Sequence, residues 1–418
     1  MEFLLDNFLL ISWKHGIMYG IGIVLIFLAI RREYEPALLL PMGFGAILVN
    51  LPLSGVLNQT LPGVGEVRGV IQWLFETGIE ASEAMPLLLF IGIGAMIDFS
   101  PILSRPVFFL FGAAAHFGIF AAITLSVLLG FDLRDAAAIG IIGAADGPTT
   151  ILVSQVLHSG YVGPIAVAAY SYMALVPIIQ PFAIRLVTTS KERKIRMDIV
   201  AGGDVPRLLK IVFPVVVTVI TGFIAPAAVS LIGFLMFGNL IRECAVLDSL
   251  SEAAQKNLSN LITLLLGITI SFTMQADRFI TVETVKILAL GLFAFIFDTI
   301  GGTLFVKLLN IFLKKKINPL IGAAGISAFP MSARVIQRMA LKEDPENILL
   351  MHGLEPYHAV LIGGMMIDYA DFLASLAIMW KGMAGLFVVC ACIMFLVMLI
   401  SKIIGFPKRK VLRQKETS

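Results

Sequence analysis

Two stretches of this chain interrupt apolar runs with the same Gly-Ala-Ala opening, and both bring groups suited to ion chemistry. The first, Gly143-Ala144-Ala145-Asp146-Gly147-Pro148-Thr149-Thr150, sets a carboxylate among apolar neighbours. An ionised Asp146 there costs about 2.5–3.5 kcal/mol on insertion scales unless it finds a cation, a proton or a donor. Gly143, Gly147 and Pro148 allow the backbone to unwind and turn carbonyls inward, which suits a hard cation with oxygen ligands. A protonated Asp146 that merely steadies a kink is the bland alternative. The second stretch, Gly322-Ala323-Ala324-Gly325-Ile326-Ser327-Ala328-Phe329-Pro330, lies between Asn318 and the pair Ser332 and Arg334. The amide and hydroxyl oxygens of Asn318 and Ser327 suit Na⁺, and the Arg334 guanidinium suits an incoming carboxylate, unless it only anchors a helix end. Tyr170 and Tyr172 add phenols to an apolar run, able to donate hydrogen bonds or relay protons, or to act as interface aromatics.

Elements able to position such groups follow from composition. The 418 residues are 58 % hydrophobic and 14 % charged, with a mean hydropathy of +0.95. Soluble domains average about 25 % charged residues, so this is an integral membrane protein. Its apolar runs have helical length, unlike the roughly ten-residue alternating strands of an outer-membrane barrel. The fold expected is an all-α polytopic membrane protein with roughly 10–12 membrane segments, two inverted repeats and discontinuous or re-entrant helices near 136–157 and 318–335. Residues 1–79 read as N-terminal transmembrane helices and 80–189 as a first repeat carrying Asp146. Residues 190–254 read as a cytoplasmic linker, a connecting span and an interfacial connector, with Ser251 as a helix cap. Residues 255–405 form the second repeat and 406–418 a basic tail.

Charge orients this plan. Lys191-Glu192-Arg193-Lys194-Ile195-Arg196, Lys314-Lys315-Lys316 and a tail with Lys408, Arg409 and Lys410 are basic, placing all three on the cytoplasmic side. Net charge is only +3, so nucleic-acid binding is not expected. The apolar run from Ile17 to Ile30 reads as a retained first span instead of a cleaved signal. Cys244, Cys390 and Cys392 lack partner histidines at metal spacing and are assigned to packing. Four further carboxylates are secondary candidates. Asp98 ends an apolar window, Asp298 interrupts a long one, and Asp368 and Asp371 share a helix face.

The chain resembles the β subunit of the sodium-translocating biotin-dependent decarboxylases that serve oxaloacetate, methylmalonyl-CoA and glutaconyl-CoA. The resemblance rests on the Asp146 motif at 143–149, Ala-Tyr-Ser-Tyr-Met at 169–173 and Gly-Asn-Leu-Ile-Arg-Glu-Cys at 238–244. Phe-Asp-Thr-Ile-Gly-Gly at 297–302 and the run from Asn318 to Arg334 complete it. It implies functional roles for Asp146, Tyr172, Asn318, Gly322, Ser327 and Arg334. It also implies that carboxybiotin loses CO₂ in the membrane while Na⁺ is exported and a proton consumed. Without a Met-Lys-Met biotinylation site, the chain would receive biotin from a carboxyltransferase α subunit or a separate carrier. A small membrane γ subunit, a homo-oligomeric assembly and the inner membrane are implied with it. One departure is local: where the family reads Gly-Pro-Asn, this chain has Glu355-Pro356-Tyr357, which puts the geometry of the cation site in question.

On these residues, Asp146, Asn318 and Ser327 are the expected metal ligands. Asp146, Tyr172, Ser327 and Arg334 are the expected catalytic set, with Arg334, Gly322 and Tyr170 at carboxybiotin. The rival readings are a secondary Na⁺/H⁺ or carboxylate transporter working without biotin, a divergent paralogue with altered ion specificity, and a scaffold subunit with a degenerate site.

Overall fold

The computed structural model describes residues 10–33, 36–61, 65–81, 84–100, 103, 116–197, 205–224, 226, 229–313, 316–325, 331–345, 347, 349, 391, 394–395 and 398–399. In chain order the helices are α1 (Trp13–Arg32), α2 (Pro36–Val49), α3 (Val70–Phe75), α4 (Ala84–Met96), α5 (Phe117–Leu128), α6 (Leu133–Gly140), α7 (Gly147–Val156) and α8 (Val162–Val187). They continue with α9 (Ser190–Arg193), α10 (Arg207–Ile224), α11 (Val229–Glu243), α12 (Asp248–Ala253), α13 (Ser259–Ile270), α14 (Ala276–Phe279), α15 (Val282–Phe312), α16 (Leu320–Ala323) and α17 (Met331–Glu343). The strands described are β1 (Gln59–Leu61) and β2 (Gly65–Val67), an antiparallel pair with Gln59 opposite Val67.

Three stretches among the described residues are long and apolar enough to cross a bilayer: Trp13–Arg31, Asp248–Met274 and Val282–Phe312. A fourth is added if Val70–Glu80 and Ala84–Met96, bent by 65° at their break, form one broken span. The outer faces are apolar, as a lipid solvent requires: Val215, Val219 and Phe223 lie along one stripe of α10 and are all exposed. The chain is thus an all-α, multi-pass membrane protein.

Helices cross where side chains are small. A Cβ on Gly94 of α4 would overlap the Leu235 carbonyl of α11, and one on Gly238 would overlap the Ile91 carbonyl. Asn239 then donates to the Ile97 carbonyl at 2.8 Å and Arg242 to the Met96 carbonyl at 2.7 Å, satisfying carbonyls that the end of α4 leaves open. The Gly-Asn-Leu-Ile-Arg motif therefore closes a helix end. Asn50 does similar work at the end of α2: its amide donates to Ala46 and Met274 and accepts from the Ala276 N–H.

Three readings of the sequence change. The connecting span expected within residues 190–254 is two helices, α10 and α11, packed on each other; Pro226, without an N–H to donate, lies between them. Ser251 is not a cap. Its N–H bonds to the Leu247 carbonyl and its hydroxyl accepts from Gln255, inside a helix that begins at Asp248. That helix runs on to Met274. Asp98 turns its carboxylate back onto the Ser100 N–H and hydroxyl, a local turn.

Candidate functional site

The interrupted segments hang on α15. Thr281 caps this helix by accepting from the Thr284 N–H, and Glu283 lies in its first turn. At 31 residues it is about 46 Å long, enough to cross a bilayer. Going along it, Leu288 and Gly291 meet Tyr172, Ala294 and Asp298 meet Gly143, and Gly302 and Val306 meet Gly322. Asp298 and Gly302 are one turn apart, so the two Gly-Ala-Ala openings attach to the post about 6 Å apart along its axis, near its middle. Ala145, Ala323 and Ala324 share one buried cluster with Phe295 and Val306. Gly302 and Gly322 touch backbone to backbone, and a Cβ on either would overlap the other's carbonyl. This contact accounts for glycine at Gly322.

The first segment breaks at the carboxylate. α6, capped by Asp132, tightens into a 3₁₀ turn at Ile141–Ala144; Ala145 is left-handed at φ 51°, and Asp146 is extended before α7 starts. Pro148 sits in the first turn of α7, where a missing N–H costs nothing. Asp146 is half-buried at the positive end of this helix. Its Oδ2 accepts from the Thr149 hydroxyl at 2.6 Å, and its carbonyl accepts from the Thr150 hydroxyl at 2.6 Å and the Thr150 N–H at 3.0 Å. No other side-chain hydrogen bond reaches this carboxylate among the described residues.

The second segment is held by amides. Asn318, fully buried, donates to the carbonyls of Arg193 and Ile195 at 2.9 and 2.8 Å and accepts from the Leu320 N–H. It thereby ties the chain after α9 to the start of α16. Gln180 of α8, also fully buried, donates to the Ala323 carbonyl at 2.7 Å and to Ser332 Oγ at 2.5 Å. It therefore joins Ala323 to Ser332. Tyr172 is buried and its hydroxyl donates to the Leu288 carbonyl. Arg334 is on an exposed face of α17 and forms no ion pair among the described residues. Tyr170 lies on α8, but its side chain is outside the described residues, as are Ser327, Glu355, Tyr357, Asp368 and Asp371.

Gln180 and Asp298 are the residues that inspection of motifs underrates. A signal existed for both, since each is a polar side chain inside an apolar window, Gln180 between Pro177 and Pro181. The two ends of α15 differ in charge. Near its C-terminal end Lys307 pairs with Glu192, and close by Arg193 pairs with Glu343 and Arg196 with Asp344. Around its N-terminal end a cleft is lined by Asp132, Asp135, Tyr161, Glu283 and Lys286.

A membrane-length post carrying a helix broken at a carboxylate, with hydroxyls beside it near the middle, defines an ion-translocating membrane protein with a discontinuous helix. Residues 14–401 match the family model of the Na⁺-transporting oxaloacetate decarboxylase beta subunit. The chain belongs to this family, the membrane components of Na⁺-transporting, biotin-dependent decarboxylases. It is 47 % identical to the methylmalonyl-CoA decarboxylase subunit beta of Veillonella parvula, over 86 % of this chain and 92 % of that one. Identity to the glutaconyl-CoA decarboxylase subunit beta of Acidaminococcus fermentans is 45 %, with the same coverage. To the oxaloacetate decarboxylase beta chain of Klebsiella pneumoniae it is 41 %, over 85 % and 94 %.

Proposed function

We propose that Asp146 holds the transported Na⁺ and that Arg334 receives the carboxyl group of carboxybiotin, so that loss of CO₂ drives ion export. The observation that carries this reading is the Asp146 break. It is a half-buried carboxylate steadied by Thr149, hung beside the second segment on α15. Asn318 and Ser327 complete the proposed ion ligands. Gly322 and Tyr170 stand with Arg334 on the carboxybiotin side.

The chemical step breaks the N–CO₂⁻ bond. Its electron pair passes to the biotin nitrogen, which takes a proton as CO₂ leaves. Tyr172 or a bound water supplies that proton, and the phenol's bond to the Leu288 carbonyl fixes where the ring stands. Moving one charge against the membrane potential costs about 2.3 kcal/mol per 100 mV, a demand that decarboxylation of an activated carboxyl meets. Residues 80–189 and 255–405 act as inverted repeats whose relative motion exposes the ion to either side. The basic end of α15 faces the cytoplasm. Biotin arrives on an α subunit or separate carrier; a γ subunit, a homo-oligomer and the inner membrane complete the setting. Which acyl substrate loads the biotin is decided on another subunit.

The test is CO₂ release from free carboxybiotin by the purified chain in proteoliposomes, with and without Na⁺, while ²²Na⁺ is followed. Coupled, Na⁺-dependent release is expected from wild type and its loss from Asp146→Asn. Na⁺ movement independent of carboxybiotin would instead make the chain a secondary transporter.

A further inference from the structure

We propose that Asp298 is a positioning residue for the ion site: its carboxylate ties the start of α5 to the Gly143 turn and so fixes where Asp146 stands. This rests on the reading that Asp146 holds the ion.

Asp298 is 1 % exposed in the middle of the long apolar helix α15. Its Oδ1 accepts from the Gly118 N–H at 2.6 Å and the Ile119 N–H at 3.1 Å, the second and third residues of α5. His116, in the capping position of α5, provides no side-chain cap. Asp298 therefore serves as a cap supplied by another helix, 180 residues away in sequence. The approach is close. A Cβ on Gly118 would overlap the Ala294 carbonyl and the Asp298 N–H, so α5 cannot slide without losing these bonds.

The other oxygen faces the ion motif. Oδ2 is buried without a hydrogen-bond partner among the described residues, and a Cβ on Gly143 would overlap it. Gly143 stands three residues before Asp146, inside the 3₁₀ turn, and only left-handed Ala145 separates that turn from Asp146. Such a short link has no slack, so a shift of Gly143 passes to the Asp146 carboxylate. An aliphatic side chain would fill the same space in an apolar helix. Burying a carboxylate there is costly and is justified by the geometry it holds.

The tie is tested with the purified complex in proteoliposomes, reading half-saturating Na⁺, the KM for free carboxybiotin and the thermal unfolding of the solubilised complex. Asp298→Ala is expected to raise half-saturating Na⁺ by about fivefold, the order of a lost cap, while the carboxybiotin KM stays within about twofold. Asp298→Asn keeps an oxygen for both N–H groups and is expected to restore most of the Na⁺ affinity. Gly143→Ala presses on the same carboxylate from the opposite side and should shift Na⁺ selectively; it is the variant read if Asp298→Ala does not assemble. Unchanged Na⁺ dependence in folded Asp298→Ala, or an Asn variant as impaired as the Ala variant, would overturn the tie. Retained Na⁺ affinity in Asp146→Asn would instead overturn the ion-site reading beneath it.

Discussion

Thr149→Val is the sharpest probe of the proposed ion site. Thr149 is 9 % exposed and its hydroxyl donates to Asp146 Oδ2 at 2.6 Å, the one side-chain bond that orients this carboxylate among the described residues. Valine replaces the hydroxyl with a methyl of similar size, so packing is nearly kept while the donor is lost. A hydrogen bond to a charged group contributes about 1.5–3 kcal/mol. At about 1.4 kcal/mol per decade, full loss of the oriented carboxylate would raise half-saturating Na⁺ by roughly tenfold to a hundredfold. Water or Na⁺ can replace part of the lost donor, which favours the lower end. The bonds from Thr150 to the Asp146 carbonyl are untouched and should keep α7 in place. The assay is Na⁺-stimulated CO₂ release from free carboxybiotin, with Thr149→Ser, which retains the hydroxyl, as the control. A folded Thr149→Val complex with wild-type Na⁺ dependence would refute the assignment of Asp146 as an ion ligand positioned by this bond.

The other predictions address how the site is held. Gly302→Ala forces a methyl into the Gly322 carbonyl; the overpacking should cost about 1–3 kcal/mol, read as a lower melting temperature together with reduced ²²Na⁺ uptake. Asn318→Ala removes two donors to the Arg193 and Ile195 carbonyls, each bond contributing about 0.5–1.5 kcal/mol. Hydrogen exchange in residues 189–197 should rise, and unchanged protection would show that the amide does not secure this segment. Gln180→Leu removes the grip on Ala323 and Ser332, so turnover should fall while the complex still assembles; wild-type turnover would dismiss the grip. The Ser190 hydroxyl, and then the Arg193 guanidinium, hold the Glu343 carboxyl below its ordinary value of 4.5. A depressed carboxylate stabilises the fold above that value and loses its contribution as pH falls through the lower folded one. Protection of α9, with the intrinsic pH dependence of exchange divided out, should therefore be flat from neutral pH to about pH 5 and fall only in more acid solution, whereas a fall near neutral pH would contradict it.

Much of the site could be read directly. The break at Asp146 falls where Gly143, Gly147 and Pro148 allow it, while residues 326–330 of the second segment lie outside the described residues. The first span, Ile17 to Ile30, also lies inside an observed helix. The two helices in 208–237 were harder to see, because Pro226 is one weak signal inside a run that is apolar throughout. Ser251 resembles a cap in isolation, yet the helix begins earlier and Ser251 bonds within it.

Local costs are what the sequence by itself determined: a charge or a proline in an apolar run is expensive wherever the chain folds, so membrane class, helix breaks and the Asp146 motif are legible residue by residue. Tertiary structure alone decided the partners. Nothing local tells Asp298 to cap α5, Asn318 to hold the Arg193 carbonyl 125 residues away, or Gln180 to bond Ala323 and Ser332, 143 and 152 residues away. Those choices depend on which helices approach closely enough through Gly118, Gly143 and the Gly302–Gly322 contact for a short side chain to reach a neighbouring backbone.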